Sequence, residues 1–192
     1  MESGDSDKVQ RLPSGAHGLP SELVARNQRE RLVAAVAEAC AERGYAEVSV
    51  ADLVARAGIS TATFYKLFAG KRECALEAHR ELLVRLLEEV DRACATAADP
   101  EGKVRAGTRT VLALFAADPP TARLLTVEVL ALGPEGVARN DAAIEAFATR
   151  LSVDWAIVAG VSMLIGKHVM ADEAPALPEL EDELVALLIG RS

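Results

Sequence analysis

Hydroxyls, a phenol and two ammonium groups gather between Ser49 and Lys71, in the stretch VSVADLVARAGISTATFYKLFAGK that starts at Val48. Their chemistry is recognition: short polar donors and cations suit phosphate oxygens and base edges, and none is paired with a catalytic partner. Ser49 is followed three residues on by Asp52, the spacing of a capping box, and Val48 and Leu53 stand at the staple positions around it. A short helix follows with Val50, Leu53, Val54 and Ala57 inward, and Gly58 supplies the left-handed backbone that ends it. The pattern repeats with Ser60 as a second cap and Ile59 and Phe64 as its staple. Two short capped helices with Gly in the turn make a helix-turn-helix, whose second helix enters the major groove N-terminus first. That helix turns Thr61, Ala62, Thr63, Tyr65 and Lys66 outward and Phe64 and Phe68 inward.

Other chemistry has little behind it. Cys40, Cys74 and Cys94 form no C-x-x-C pair and have no His at zinc-finger spacing, so they read as small buried hydrophobes. His79 and His168 lie far apart on different predicted helices, and no nucleophile–base pair and no Gly-rich phosphate loop are found. No cofactor and no metal are expected. An all-α enzyme or ligand carrier remains the alternative, and no residue pattern supports it.

The 192 residues are 51% apolar but only 4% aromatic, so the core must be mostly Ala, Val and Leu. Strict two-residue alternation is scarce, and the fold class is all-α. The net charge of −8 is uneven. Residues 22–73 hold eight basic and seven acidic side chains, whereas the chain from Cys74 onward holds eleven and nineteen. A near-neutral head can hold phosphates if its cations share a face. The longest charge-free apolar segment, Trp155 to Gly166, is too short to span a bilayer, and no signal peptide is apparent. A soluble cytoplasmic protein is expected.

Three parts are expected: a tail over 1–20, a helix-turn-helix domain over 21–70, and a helical ligand-binding and dimerisation bundle over 71–192. The tail contains Lys8 and Arg11, which could reach a groove as an arm, although a solvated tail is the plainer reading. Ser21 caps a helix over about 22–43 with Leu32, Val36, Ala39 and Cys40 inward, and Gly44 ends it. Arg26, Asn27, Gln28, Arg29 and Arg31 on its first turns are either phosphate contacts or a solvated face. A long helix runs from Lys71 to about Ala93 and joins head to body. Lys71 at its positive N-terminal end is unfavourable for the helix alone, which a phosphate partner would explain.

Further helices are expected over about 102–117, 120–132, 135–151, 153–171 and 177–189, packed as a bundle. Leu83, Leu86, Phe115, Leu125, Glu128 and Phe147 are the candidate ligand-pocket residues, with Thr108, Arg109 and Thr126 as lesser polar candidates. Glu128 is either a buried carboxylate facing a cavity or a residue at a helix's polar edge. With Phe115, Phe147 and Trp155 its only aromatics, the body favours a lipophilic or acyl-type effector over a planar cation. The last two helices offer Trp155, Ala159, Val161, Leu180, Leu184 and Leu187 to an isologous four-helix interface between two copies. Closure of the monomer's own core is the other reading.

The head from about Asn27 to Leu87 resembles the DNA-binding domain of TetR-type transcriptional repressors. The resemblance lies in Ser49-Val50-Ala51-Asp52-Leu53, Ala57-Gly58-Ile59-Ser60, Thr63-Phe64-Tyr65-Lys66-Leu67-Phe68 and Lys71, followed by the long helix. It implies a homodimer that reads a near-palindromic double-stranded operator and is released by a small molecule in each body. On this resemblance Ser49 holds phosphate, Ser60 caps the groove-facing helix, and Thr61 and Ala62 approach bases. Thr63 and Tyr65 bond phosphate, Lys66 serves a phosphate or a base, and Lys71 anchors the DNA backbone. Leu67 stands where a His is common and Cys74 where a larger apolar residue is usual. The helices meeting near Ser152 are joined more tightly than in similar proteins. A ligand-independent regulator or an activator is the alternative function.

Overall fold

A computed structural model describes residues 21–190. The expected tail, with Lys8 and Arg11, lies outside these residues, as does the capping role expected of the Ser21 side chain. Among the described residues every regular element is helical. The head contains α1 (Ser21–Arg43), α2 (Val50–Ala57) and α3 (Thr61–Leu67), and α4 (Lys71–Cys94) leads out of it. The body adds α5 (Pro100–Ala117), α6 (Pro119–Thr126), α7 (Pro134–Leu151), α8 (Trp155–Met170) and α9 (Glu181–Leu188). Short 3-10 segments occupy Tyr45–Glu47, Glu128–Leu132 and Ala174–Leu180.

Two expected helices are interrupted. The helix expected over 120–132 is α6 followed by a 3-10 segment, with Val127 at φ −118° between them. The Thr126 hydroxyl donates to the Ala122 carbonyl at 2.8 Å, a back-bond that bends helices. The helix expected from Leu177 begins only at Glu181. Pro178 has no N–H and disfavours helical backbone at Leu177, so Ala174–Leu180 takes the tighter form.

Residues form two clusters around α4. The head cluster holds Leu32, Val36, Cys40, Leu53, Phe64, Phe68 and the first turns of α4 through Ala78, and it extends to Leu124 and Leu132 of the body. The body cluster holds Leu86, Val90, Leu112, Phe115, Ile144, Val158, Ile165 and Leu184, and Leu82 packs against both. The α4 helix therefore crosses from one core to the other. Fully burying a Leu or Phe is worth about 1.5–3 kcal/mol, so the body residues Leu124 and Leu132 are a real share of the head's stability.

The tight α7–α8 connection is a Schellman turn. Ser152 is left-handed at φ 56°, its N–H reaches Thr149 O, and the Val153 N–H reaches Ala148 O. Asp154 then caps α8 through Ala156 N–H at 2.8 Å. Three residues thus close the corner, with no longer loop needed. At the other end of α7, a Cβ on Gly136 would lie 2.0 Å from the Val129 carbonyl oxygen. Only glycine lets α7 approach the Glu128–Leu132 segment so closely.

Candidate nucleic-acid interface and body cavity

Both caps form as their spacing predicts. Ser49 Oγ accepts the Asp52 N–H at 3.2 Å, and Asp52 returns a bond to the Ser49 N–H at 2.9 Å. The Ser49 hydroxyl also donates to Asp52 at 2.6 Å. These bonds, with Arg43 at 3.0 Å, hold the Asp52 carboxyl down at about 2. Gly58 ends α2 in the left-handed region at φ 61°, with the Ile59 N–H reaching back to Val54 O. Ser60 Oγ accepts the Thr63 N–H at 3.0 Å and meets the Thr63 hydroxyl at 2.9 Å.

On α3, Phe64 is fully buried and Thr61, Ala62, Tyr65 and Lys66 are exposed. The Tyr65 ring stands edge-on to Phe64 at 5.3 Å, which fixes its direction while leaving the hydroxyl outward. Thr63 is half-buried. Ser49, Ser60 and Thr63 spend hydroxyl bonding capacity within the caps, so Thr61, Tyr65 and Lys66 are the freer groups of this face.

Lys71 is half-buried. Its ammonium donates to the carbonyls of Tyr45 at 3.1 Å and Ala46 at 3.4 Å and lies 4.4 Å from the centre of the Tyr45 ring. The cation thus ties the turn after α1 to the start of α4. The first turn of α4 also has its own anion, since Glu73 accepts the Ala69 N–H at 2.6 Å. On the α1–α2 flank, Arg56 is held between Glu38 and Glu42.

The body holds a partly open cavity of about 90 Å³. Its walls come from α4 through α9 and include Leu83, Leu86, Phe115, Leu125 and Phe147, five of the six pocket residues expected from sequence. Val111, Ile144, Val158 and Ile165 also line it. Glu128 does not, and this expectation is corrected. It is buried at the junction of head and body, where Oε2 accepts the Tyr45 N–H at 2.7 Å and Oε1 accepts Arg123 Nε at 3.0 Å. The bend after Thr126 turns this side chain away from the cavity and toward the head. Arg109 is not on the wall either, being paired with Glu181 at 2.8 Å. Thr108 and Thr126 are on it.

Tyr45 is consequently gripped from both sides. Its N–H goes to Glu128 of the body, and its carbonyl goes to Lys71 of α4. Nearby, Arg72 donates to Leu132 O at 3.0 Å, and Arg139 of α7 donates to Leu76 O at 3.2 Å. No local pattern marks Glu128 or Tyr45, whose partners lie 83 residues apart.

Residues 32–78 match the family model described as bacterial regulatory proteins, tetR family. The chain is 36% identical over 111 residues to the HTH-type transcriptional regulator EthR of Mycolicibacterium smegmatis, a match covering 57% of this chain and about half (51%) of that relative. The head is similar to the tetR family. Solved structures share the wider fold. The regulator FadR of Bacillus subtilis, described in complex with stearoyl-CoA, superposes with a TM-score of 0.75 at 18% identity over 85% of this chain and 98% of its own. PfmR of Thermus thermophilus gives 0.65 at 22% identity, over 84% and 99%.

The tetR-family match covers the α2 and α3 caps, the outward face of α3 and Lys71, and it ends at Ala78. Beyond it, α8 and α9 carry a mixed face. Trp155, Ile157, Met163, Met170 and Leu187 are exposed, and Ala159 and Leu180 are half-buried. Val161 and Leu184, expected at an interface between copies, are instead buried in the body's own core, and Val161 lines the cavity. The apolar circumference of α8 is thus split between the two uses. Among the described residues no His, Cys, Asp and Glu cluster could hold a metal ion, and no single helix is long and apolar enough to cross a membrane.

Proposed function

We propose that this chain is a homodimeric transcriptional regulator, a repressor that binds a near-palindromic operator and is released by a small lipophilic effector. The observation that carries the reading is α3, capped by Ser60 and following the Ser49-capped α2, with Thr61, Ala62, Tyr65 and Lys66 facing out. Thr61 and Ala62 approach base edges, and Tyr65 and Lys66 hold the phosphate backbone. The naming of EthR as a transcriptional regulator supports this role, as does the tetR-family match of the head.

Release works through the junction. An effector in the cavity presses on Leu125 and Thr126, one short step before Glu128, which holds Tyr45. Movement of α6 and α4 is then passed to the turn after α1 and to Lys71. The angle of α3 changes, and the spacing of the two recognition helices no longer matches the half-sites. The apolar walls and the stearoyl-CoA held by the similar FadR structure support an acyl-type effector.

Capture of genomic fragments by the purified protein, followed by titration of the recovered duplex at several salt concentrations, tests the reading. Affinity should fall steeply with salt as counterions are released. Lys66→Ala should weaken all sequences and lower the salt slope by about 1, whereas Thr61→Ala should relax preference at particular base pairs. Absence of salt-sensitive binding to any recovered duplex would sink the proposal.

A further inference from the structure

One hydroxyl in the body cavity is out of keeping with its surroundings. Thr108, on α5, lines the cavity and is 5% exposed, and its Oγ1 has no hydrogen-bond partner. Helical threonines ordinarily satisfy this group by bonding the carbonyl four residues back. Thr110 does so to Ala106 O at 2.8 Å, and Thr126 does so to Ala122 O at 2.8 Å. Thr108 does neither, although it shares a helix with Thr110. Its hydroxyl is left unbonded, buried in a residue that borders a largely apolar cavity.

The rest of the wall sets the complementary chemistry. No Asp, Glu, Lys, Arg or His lines the cavity, and its other polar members are Thr126, Asn140 and Ser162. A charged group inside would lose its water without gaining a counter-ion. An uncharged oxygen beside Thr108 would instead accept the bond that the backbone does not, and a plain hydrocarbon would leave it unmade.

We infer that the effector enters as an uncharged aliphatic chain bearing a carbonyl oxygen, of the ketone, ester or thioester kind, and that Thr108 is the residue that reads this oxygen. Any charged headgroup stays outside the chamber. The inference rests on the cavity being the effector site, as proposed above.

The probes are 2-heptanone and n-octane, equal in heavy-atom count, with binding measured by headspace partition over the full-length protein. Comparing each probe between wild type and variant cancels its own hydration. Thr108→Val should weaken 2-heptanone about tenfold, equivalent to about 1.4 kcal/mol, and leave n-octane unchanged or tighter. Thr108→Ser, which restores the hydroxyl, should hold 2-heptanone close to wild type. Equal effects on both probes in Thr108→Val and Thr108→Ala alike, or no effect on either, overturn the role of Thr108 and leave the cavity as the effector site. If wild type takes up neither probe, the cavity reading fails together with the inference.

Discussion

His79 sits on α4 at 1% exposure, and its Nε2 has no hydrogen-bond partner. Burial, helped by the nearby Arg139 charge, pushes its pKa down from 6.5 to about 4. Above pH 6.5 the ring is neutral whether the chain is folded or not, and it adds no pH dependence. Between 6.5 and 4 the unfolded chain takes up a proton that the folded chain refuses, so stability falls as pH falls. The loss amounts to about 3 kcal/mol across that window, at about 1.4 kcal/mol per unit, and stops below pH 4. Denaturation midpoints at pH 7.5, 6 and 5 should therefore decline in wild type and much less in His79→Leu; equal slopes would refute the assignment. The carboxylates with lowered pKa, among them Asp52 and Glu181, lose their stabilisation as pH falls through and below the ordinary carboxylate range, so they overlap only the acid end of this window. Residue chemistry of this kind was only half legible in the sequence. The serine caps could be read because donor and acceptor lie three residues apart. The environment of His79, the pairing of Lys71 and the unmet hydroxyl of Thr108 are set by residues distant in the chain.

At the scale of elements, boundaries followed local signals wherever the signal was local. Gly58 ended α2 at the expected place, and α5 begins at Pro100, capped by Asp99, two residues before the expected start at 102. The break at Val127 was missed because apolar periodicity runs on through LLTVEVLAL without a Gly or Pro to interrupt it. That break aims Glu128 at the head, where one carboxylate satisfies both a backbone N–H and an arginine. Glu128→Ala leaves the Tyr45 N–H and Arg123 without that acceptor, which should cost about 2–3 kcal/mol in urea unfolding. A general loss of stability would speed exchange throughout. Loss of this contact should additionally accelerate the Tyr45 amide relative to amides in the middle of α5. If the Tyr45 amide keeps its relative protection in Glu128→Ala, the junction does not depend on this carboxylate.

For the whole molecule, the division of charge and of apolar surface points to how copies assemble. The excess acidity belongs to the chain from Cys74 onward, beyond α3. Exposed Trp155, Met163 and Met170 and half-buried Ala159 recur at helical spacing on one side of α8, exposed Ile157 falls off that stripe, and Val158, Val161 and Ile165 serve the body core. Sequence could not apportion this helix, because it is apolar almost all round and either side would serve as core. An isologous contact presents the same patch twice, so a charge introduced there is met by its own copy or left desolvated on both protomers. Like charges brought together at an interface cost several kcal/mol. Met163, 67% exposed, can be replaced without disturbing the monomer's packing. Met163→Glu should raise the dimer dissociation constant by roughly a hundredfold or more in sedimentation equilibrium, with helicity and thermal unfolding of the monomer preserved. Operator affinity should fall with it, because two recognition helices must bind together, and a single half-site should be bound no worse than by wild-type monomer. A Met163→Glu protein that remained a dimer at the wild-type dissociation constant would move the assembly face elsewhere on the body, and the exposed stripe of α8 would need another partner.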